Sequence, residues 1–151
     1  MILYHGTNTD FQRIDLARCL PYKDFGRGFY LTPILRDAKA RATNKCIKEQ
    51  TGQAVVQKYE VDETRFDGLN IKRFEGVSEE WAQFVLSNRR HRNKGTHSYD
   101  IVVGPVADDG VVLSLQLFEQ QIIDMQELLK RLTFARPTIQ YCFRTPNAIA
   151  L

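Results

Sequence analysis

The segment Tyr-His-Gly-Thr at residues 4–7 follows a short apolar run and contains residue types that suit ligand chemistry. The imidazole of His5 can donate a hydrogen bond to a sugar hydroxyl or accept one from it. Gly6 lets the backbone approach a ligand closely and frees its N–H and C=O groups for hydrogen bonds. The alternative is a histidine that is simply hydrogen-bonded at a strand end, and this segment alone leaves both interpretations open.

A second segment, residues 24–32, reads Asp-Phe-Gly-Arg-Gly-Phe-Tyr-Leu-Thr. Its two glycines, one residue apart, predict a close-approach turn. The strand behind the turn presents Tyr30, whose ring is suited to stacking on a flat heteroaromatic ligand. No third glycine follows at the spacing of the dinucleotide-binding fingerprint, so that fold is not predicted. Ordinary strand aromatics are the alternative interpretation of Phe29 and Tyr30.

The elements that must position these segments are strands and helices without the regular alternation of a parallel sheet. Thr32 and Pro33 predict the start of a helix, as N-cap and first helical residue, that runs to about Glu49. Ser78 begins another helix, and a capping box at Asp124 begins a third. Predicted strands cover residues 2–4, 29–31, 54–61, 100–104 and 138–144, a helical turn lies near 14–19, and one or two helices span 110–131. The sequence therefore predicts an α+β protein with a mostly antiparallel sheet.

Composition narrows the class of protein. Hydrophobic residues make up 43% of the chain and charged residues 26%, which is typical of a globular domain and argues against disorder. Without repeats or linkers, residues 1–151 predict a single domain. We expect no signal peptide, membrane anchor or membrane partner, because no stretch approaches the roughly 20 apolar residues of a membrane-spanning helix. Cys19, Cys46 and Cys142 lie outside metal-ligand spacing, which predicts reduced thiols in a cytoplasmic protein and no metal.

The two segments together resemble a known family. His-Gly-Thr after a first strand, then Phe-Gly-x-Gly-Phe-Tyr-Leu-Thr about twenty residues later, is similar to the NAD-binding half of ADP-ribosyltransferases of the diphtheria-toxin and poly(ADP-ribose)-polymerase class. Over nearly its whole length the chain resembles small bacterial stand-alone members of that superfamily. Further segments that support the resemblance are residues 80–81, 88–89, 99–102, 104–109 and 140–145. The resemblance implies a split, mostly antiparallel sheet with flanking helices.

The resemblance also implies a site that binds NAD as its substrate. It places His5, Tyr30 and Gln140 around the reacting ribose, with His5 on a hydroxyl of the nucleoside ribose and Tyr30 stacked on the nicotinamide. The Gly6 backbone would hold the nicotinamide carboxamide. The other implied NAD-binding residues are Thr7, Phe25, Gly26, Gly28, Phe29 and Thr32. Because nicotinamide leaves from a carbon that becomes oxocarbenium-like, positioning the ring and stabilising positive charge on the ribose would both lower the barrier.

The sequence departs from the family pattern at Gln140, where the class has a glutamate. A glutamine can bond the ribose 2′-hydroxyl, but it brings no negative charge and cannot act as a general base. This departure favours mono-ADP-ribosylation over elongation of a poly(ADP-ribose) chain. The alternative interpretation of Gln140 is a polar residue on an edge strand without a role in catalysis. The second stacking aromatic of some relatives is missing from residues 37–41. Charge can come from Asp108 and Asp109, or these residues cap the following helix.

The predicted function is NAD-dependent mono-ADP-ribosylation of a macromolecule by a bacterial toxin-like effector. The sequence does not distinguish a protein acceptor from a nucleic-acid acceptor. The analogy with such effectors implies that a neutralising partner protein can accompany the enzyme. The basic segment at residues 88–94 either meets phosphates or forms a solvated loop. Two alternative functions remain: an NAD glycohydrolase, in which water replaces the acceptor, and a non-catalytic module that binds NAD, ADP-ribose or nucleic acid.

Overall fold

The computed structural model describes residues 1–89, 97–133 and 138–149. The strands in these ranges are β1 (Ile2–Thr7), β2 (Phe29–Leu31), β3 (Val55–Glu60), β4 (Ile71–Arg73), β5 (Ile101–Pro105) and β6 (Ile139–Phe143). The helices are α1 (Leu35–Glu49), α2 (Glu79–Arg89), α3 (Asp109–Glu119), α4 (Met125–Leu132) and the single turn α5 (Pro146–Ile149). The predicted α+β class is confirmed. Short 3₁₀ turns cover Leu16–Arg18 and Glu63–Phe66.

The strands form two sheets. β1 pairs with β3 in an antiparallel two-stranded sheet, and the other sheet has the order β2-β6-β5-β4. Only the β4–β5 pair is parallel in the described ladders, so the predicted antiparallel character is confirmed. β4 was not predicted, because its three residues, Ile-Lys-Arg, lack the apolar and aromatic character that marks the equally short β2 as a strand.

The two sheets meet where Tyr4 of β1 bridges to Thr32, just after β2. The amide of Tyr4 lies 2.8 Å from the carbonyl oxygen of Thr32, and the reverse hydrogen bond measures 2.9 Å. Beyond this bridge no further ladder pair links β1 to β2 in the described residues. We call residues 4–7 of β1 and residues 30–32 the sheet junction.

Helix α1 lies directly on β1 at Gly6. A Cβ atom added to Gly6 would stand 2.0 Å from the carbonyl oxygen of Ala38 and 3.0 Å from the amide nitrogen of Ala42. The close approach that this glycine permits is therefore used by a helix of the protein itself. The same geometry holds α1 beside the sheet junction.

The start of α1 differs from the prediction, whereas its end is confirmed. The helix begins at Leu35 with Ile34 as N-cap, and no side chain caps it. Thr32 is held in extended backbone by its bridge to Tyr4, and its hydroxyl instead accepts a hydrogen bond from the amide of Ile34 at 3.2 Å. The predicted N-cap at Thr32 is wrong because the main chain of Thr32 pairs with Tyr4 of β1. The last helical residue is Glu49, as predicted, and the next residue adopts a left-handed φ of 53°.

Two apolar clusters cover the two faces of the four-stranded sheet. Val102 and Cys142 pack toward α2, α3 and α4, where Trp81 is fully buried. Ile101 and Phe143, which alternate with them along the strands, pack toward β1. The apolar face of α2, with Trp81 and Val85, packs into the first of these clusters. No helix in the described part of the chain is long and apolar enough to cross a membrane.

Two predicted caps are confirmed in this layer. Asp124 accepts a hydrogen bond from the amide of Glu127 at 2.8 Å and begins α4. Asp108 accepts one from the amide of Val111 at 2.9 Å and begins α3. Of the two interpretations of Asp108, helix capping is therefore the one the structure supports.

Candidate functional site at the sheet junction

His5 lies at the sheet junction with a fixed ring. Its Nδ1 atom is 2.7 Å from the carbonyl oxygen of Tyr30, and its ring stacks on Phe29 with centroids 4.1 Å apart. Burial lowers the pKa of His5, and the nearby cations Lys45 and Arg41 lower it further, against the hydrogen bond to Tyr30, which raises it. A neutral ring that donates from Nδ1 keeps a lone pair on Nε2. No described residue bonds Nε2, so this atom can accept a hydrogen bond from a ligand hydroxyl.

The peptide groups of Gly6 face away from β3. In a strand the N–H and C=O of one residue point to the same side, and those of the next residue point to the opposite side. Met1 exchanges both hydrogen bonds with Val61, and Tyr4 bonds Thr32 on the other side. The N–H and C=O of Gly6 therefore point in the same direction as those of Tyr4, past the end of the bridge. One donor and one acceptor are thus available together at the sheet junction.

Tyr30 holds the preceding turn through its hydroxyl. The hydroxyl donates to the carbonyl oxygen of Gly26 at 2.6 Å and accepts from the amide of Phe25 at 3.0 Å. Burial raises the pKa of Tyr30 well above its ordinary value, and the neighbouring Cys142 raises it further. The hydroxyl is therefore protonated at neutral pH. Stacking of this ring on nicotinamide stays a prediction.

Remote donors fix residues 24–28, which we call the 24–28 turn. The carbonyl oxygen of Phe25 accepts from Nε2 of His97 at 2.9 Å, and that of Arg27 accepts from Nε of Arg144 at 3.2 Å. Gly26 needs its positive φ of 87°, and a Cβ on Gly28 would lie 2.4 Å from the sulfur of Cys142. Both glycines are thus required by the turn and its packing on β6. Their predicted role in binding NAD stays a prediction.

Gln140 meets a carboxylate that the sequence analysis did not single out. The side chains of Gln140 and Asp24 are buried, and Nε2 of Gln140 donates a long hydrogen bond of 3.4 Å to Oδ2 of Asp24. Oδ1 of Asp24 accepts from both Nε and Nη2 of Arg89, each at 2.6 Å. The amide of Ala107 completes the set at 3.3 Å from Oδ2. Negative charge is therefore present beside residue 140, although residue 140 itself is neutral.

Hydrogen bonds and short stretches of main chain connect the three residues that were predicted around the reacting ribose. His5 bonds the main chain of Tyr30, Tyr30 bonds the 24–28 turn, and Asp24 of that turn bonds Gln140. Opposite residues of an antiparallel pair share a face, which places Tyr30 and Gln140 on the same face of the sheet. The ring of His5 instead lies against Phe29, on the other face.

Thr7 and Thr32, two predicted binding residues, have buried side chains with local partners. The hydroxyl of Thr7 accepts from the amide of Thr9 at 3.3 Å, and that of Thr32 lies 3.5 Å from the carbonyl oxygen of Ile139. Both residues belong to the sheet junction. The structure thus brings Thr7 and Thr32 to the same place as His5, and contact with NAD stays a prediction for each.

Helix α1 adds a charged face beside these residues. Burial lowers the pKa of Arg41, while Asp24, Asp37 and Tyr30 oppose this effect. Oδ2 of Asp37, one turn earlier, is buried without a hydrogen-bond partner among the described residues. Arg41 belongs to residues 37–41, which contain no aromatic residue, so a cation lies where the resemblance implies a second stacking ring. Residues 90–94 of the basic segment lie outside the described residues, and Arg89 pairs with Asp24.

Fold and site together define an α+β protein with a buried polar network where two sheets meet. Over residues 1–151 the chain matches the model of a family described as protein of unknown function (DUF3990). The protein therefore belongs to the DUF3990 family. Comparison with curated proteins finds no match, and comparison with solved structures finds none either.

Proposed function

We propose that this protein is an NAD-dependent mono-ADP-ribosyltransferase, with the split-sheet fold of that superfamily. It breaks the bond between nicotinamide and ribose and transfers ADP-ribose to a macromolecule. The observation that carries the proposal is the line of hydrogen bonds and intervening main chain that connects His5 to Tyr30 and, through the 24–28 turn, to Gln140. This line joins the segments in which the chain resembles the family.

The sheet junction offers groups of the right kind for the two ends of a nicotinamide nucleoside. A carboxamide has one acceptor and one donor side, which match the N–H and C=O of Gly6. A ribose hydroxyl can donate to Nε2 of His5, whose Nδ1 is committed to Tyr30. A hydrogen bond fixes the ring of His5, and pairing with β3 fixes the strand that carries Gly6, so little ordering is required when NAD binds.

The reaction transfers a glycosyl group without a change of redox state. The C1′–N bond breaks, its electron pair leaves with nicotinamide, and the ribose carbon gains positive charge. A nucleophile of the acceptor then bonds to C1′ and gives up its proton. Oxygen atoms of the protein that lie near the ribose, such as the side-chain oxygen of Gln140, stabilise that positive charge more in the transition state than in the ground state.

The proposal is tested with NAD labelled on its adenylate part, incubated with the purified protein and a cell lysate. We expect label on a macromolecule and equimolar release of nicotinamide. His5→Ala removes the proposed acceptor and should lose transfer, whereas Tyr59→Phe removes a hydroxyl bonded to Gln57 and should keep it. Thermal unfolding of each variant checks that loss of transfer is not loss of fold.

Three results would contradict the proposal, and each indicates a different function or site. Free ADP-ribose without labelled macromolecule would identify an NAD glycohydrolase. NAD binding without any nicotinamide release would identify a non-catalytic module. Full transfer by a folded His5→Ala protein would show that the site lies elsewhere.

A further inference from the structure

Asp24 determines which way the amide of Gln140 points. A carboxylate has only acceptor atoms, so Gln140 must present its Nε2 side to Oδ2 of Asp24. The reversed amide would set two oxygens against each other. The side-chain oxygen Oε1 of Gln140 is therefore turned away from Asp24, and no described residue donates a hydrogen bond to it.

Asp24 is itself held by groups from other parts of the chain. Two nitrogens of Arg89 bind Oδ1, and Asn88 donates to the main-chain oxygen of Asp24 at 2.9 Å. The amide of Ala107 binds Oδ2, the same oxygen that Gln140 meets. Rotation of the carboxylate would break its bonds to Arg89 and Ala107, so the orientation of Gln140 is fixed as well.

We propose that Asp24 is a positioning residue, which holds the amide of Gln140 so that Oε1 accepts the 2′-hydroxyl of the nucleoside ribose. This inference rests on the proposed function. It also gives a physical reason for glutamine at position 140. A glutamate there would set a second carboxylate against Asp24, and two adjacent carboxylates repel each other.

The pair can be exchanged in a way that separates positioning from simple support of the fold. In Asp24→Asn the oxygen of the new amide stays on Arg89, and its NH₂ group replaces Oδ2 and faces position 140. Gln140 must then turn its oxygen toward that NH₂ and its own NH₂ toward the ribose, where an acceptor is needed. Adding Gln140→Glu restores an acceptor on both sides, because a carboxylate has two oxygens. The amide of Ala107 loses its acceptor in the single and the double variant alike, so this loss does not distinguish them.

The experiment measures nicotinamide release by wild type, Asp24→Asn, Gln140→Glu and the double variant. We expect kcat of Asp24→Asn to fall about 100-fold, as for other misplaced catalytic groups, with a smaller change in KM. The double variant should recover to within about tenfold of wild type, which corresponds to about 1.4 kcal/mol of transition-state stabilisation. Asp100→Asn, which removes a structural carboxylate bonded to Thr145, is the matched control and should not be rescued by Gln140→Glu.

The pH profile gives a second readout that a structural role would not change. In Gln140→Glu alone, a proton shared by the two carboxylates mimics the bond between an amide and a carboxylate. Activity of this variant should therefore fall as the pH rises and the shared proton is lost, while the double variant lacks this fall.

The possible outcomes separate this inference from the function on which it rests. If wild type releases no nicotinamide, the proposed function is wrong and the positioning role falls with it. If wild type is active but Asp24→Asn matches it, or the double variant is no better than Asp24→Asn, only the positioning role is wrong. Recovery in the double variant supports both.

Discussion

Replacing Gly6 with alanine should destabilise the protein strongly, because the new methyl group meets a backbone that cannot rotate away. The Cβ atom would stand 2.0 Å from the carbonyl oxygen of Ala38, and ordinary contact begins near 3.4 Å. The helix α1 must therefore retreat by about 1.4 Å (3.4 minus 2.0) at this point. Overpacking of this kind costs typically about 1–3 kcal/mol, and we expect the upper end because both partners are main-chain atoms.

The assay is urea unfolding of Gly6→Ala followed by circular dichroism. The midpoint should fall at an unchanged m-value, which indicates lost stability without a changed unfolded state. Gly76→Ala is the matched control, because no atom lies within 4 Å of a Cβ at Gly76. Its stability should change by no more than about 1 kcal/mol. Equal midpoints for the two variants would refute the argument that α1 requires a glycine at position 6.

Three further predictions concern the charged and sulfur groups around the site. Arg89→Ala should lower the free energy of unfolding by about 2 kcal/mol or more, since it leaves Asp24 buried without its cation, while the half-exposed Arg131→Ala should cost under about 1 kcal/mol. Burial lowers the pKa of His97 from 6.5 to about 4. On acidification the unfolded chain therefore binds this proton before the folded protein does. The free energy of unfolding should fall between pH 6.5 and pH 4, and this fall should be smaller in His97→Gln than in wild type. Burial raises the pKa of Cys142 to about 12, so alkylation followed by mass spectrometry should modify this thiol only after unfolding.

Elements with a local signal could be predicted from the sequence. Asp124 caps its own helix, and the amide it binds belongs to Glu127, three residues away. Thr32 carries an equally good cap signal, yet its N–H and C=O groups form hydrogen bonds with Tyr4, which lies 28 residues earlier in β1. Propensity for a helix cap is a preference of about 1 kcal/mol, and two hydrogen bonds at a sheet junction outweigh it. The difference between these two residues lies in their remote partners, which the local pattern does not contain.

The polar network shows the same limit more sharply. The sequence singles out His5 and Tyr30 because each lies in a distinctive segment that contains glycine. Asp24 lies in one of those segments, but its partners Arg89 and Gln140 are 65 and 116 residues away. No spacing rule connects residues so far apart. An aspartate before a turn of glycines is usually solvated, and only the assembled sheet shows that this one is buried.

The position of β6 has a consequence for how the protein is made. β6 is the last strand along the described chain, yet it lies between β2 and β5 in the sheet. During translation β2 has no neighbour on that side until residues 139–143 have left the ribosome, and Gln140 cannot reach Asp24 before then. Sheets closed by such distant segments also form slowly. The hydrogen bond between Gln140 and Asp24 therefore forms only after residues 139–143 have been translated, and a chain terminated before β6 never forms it.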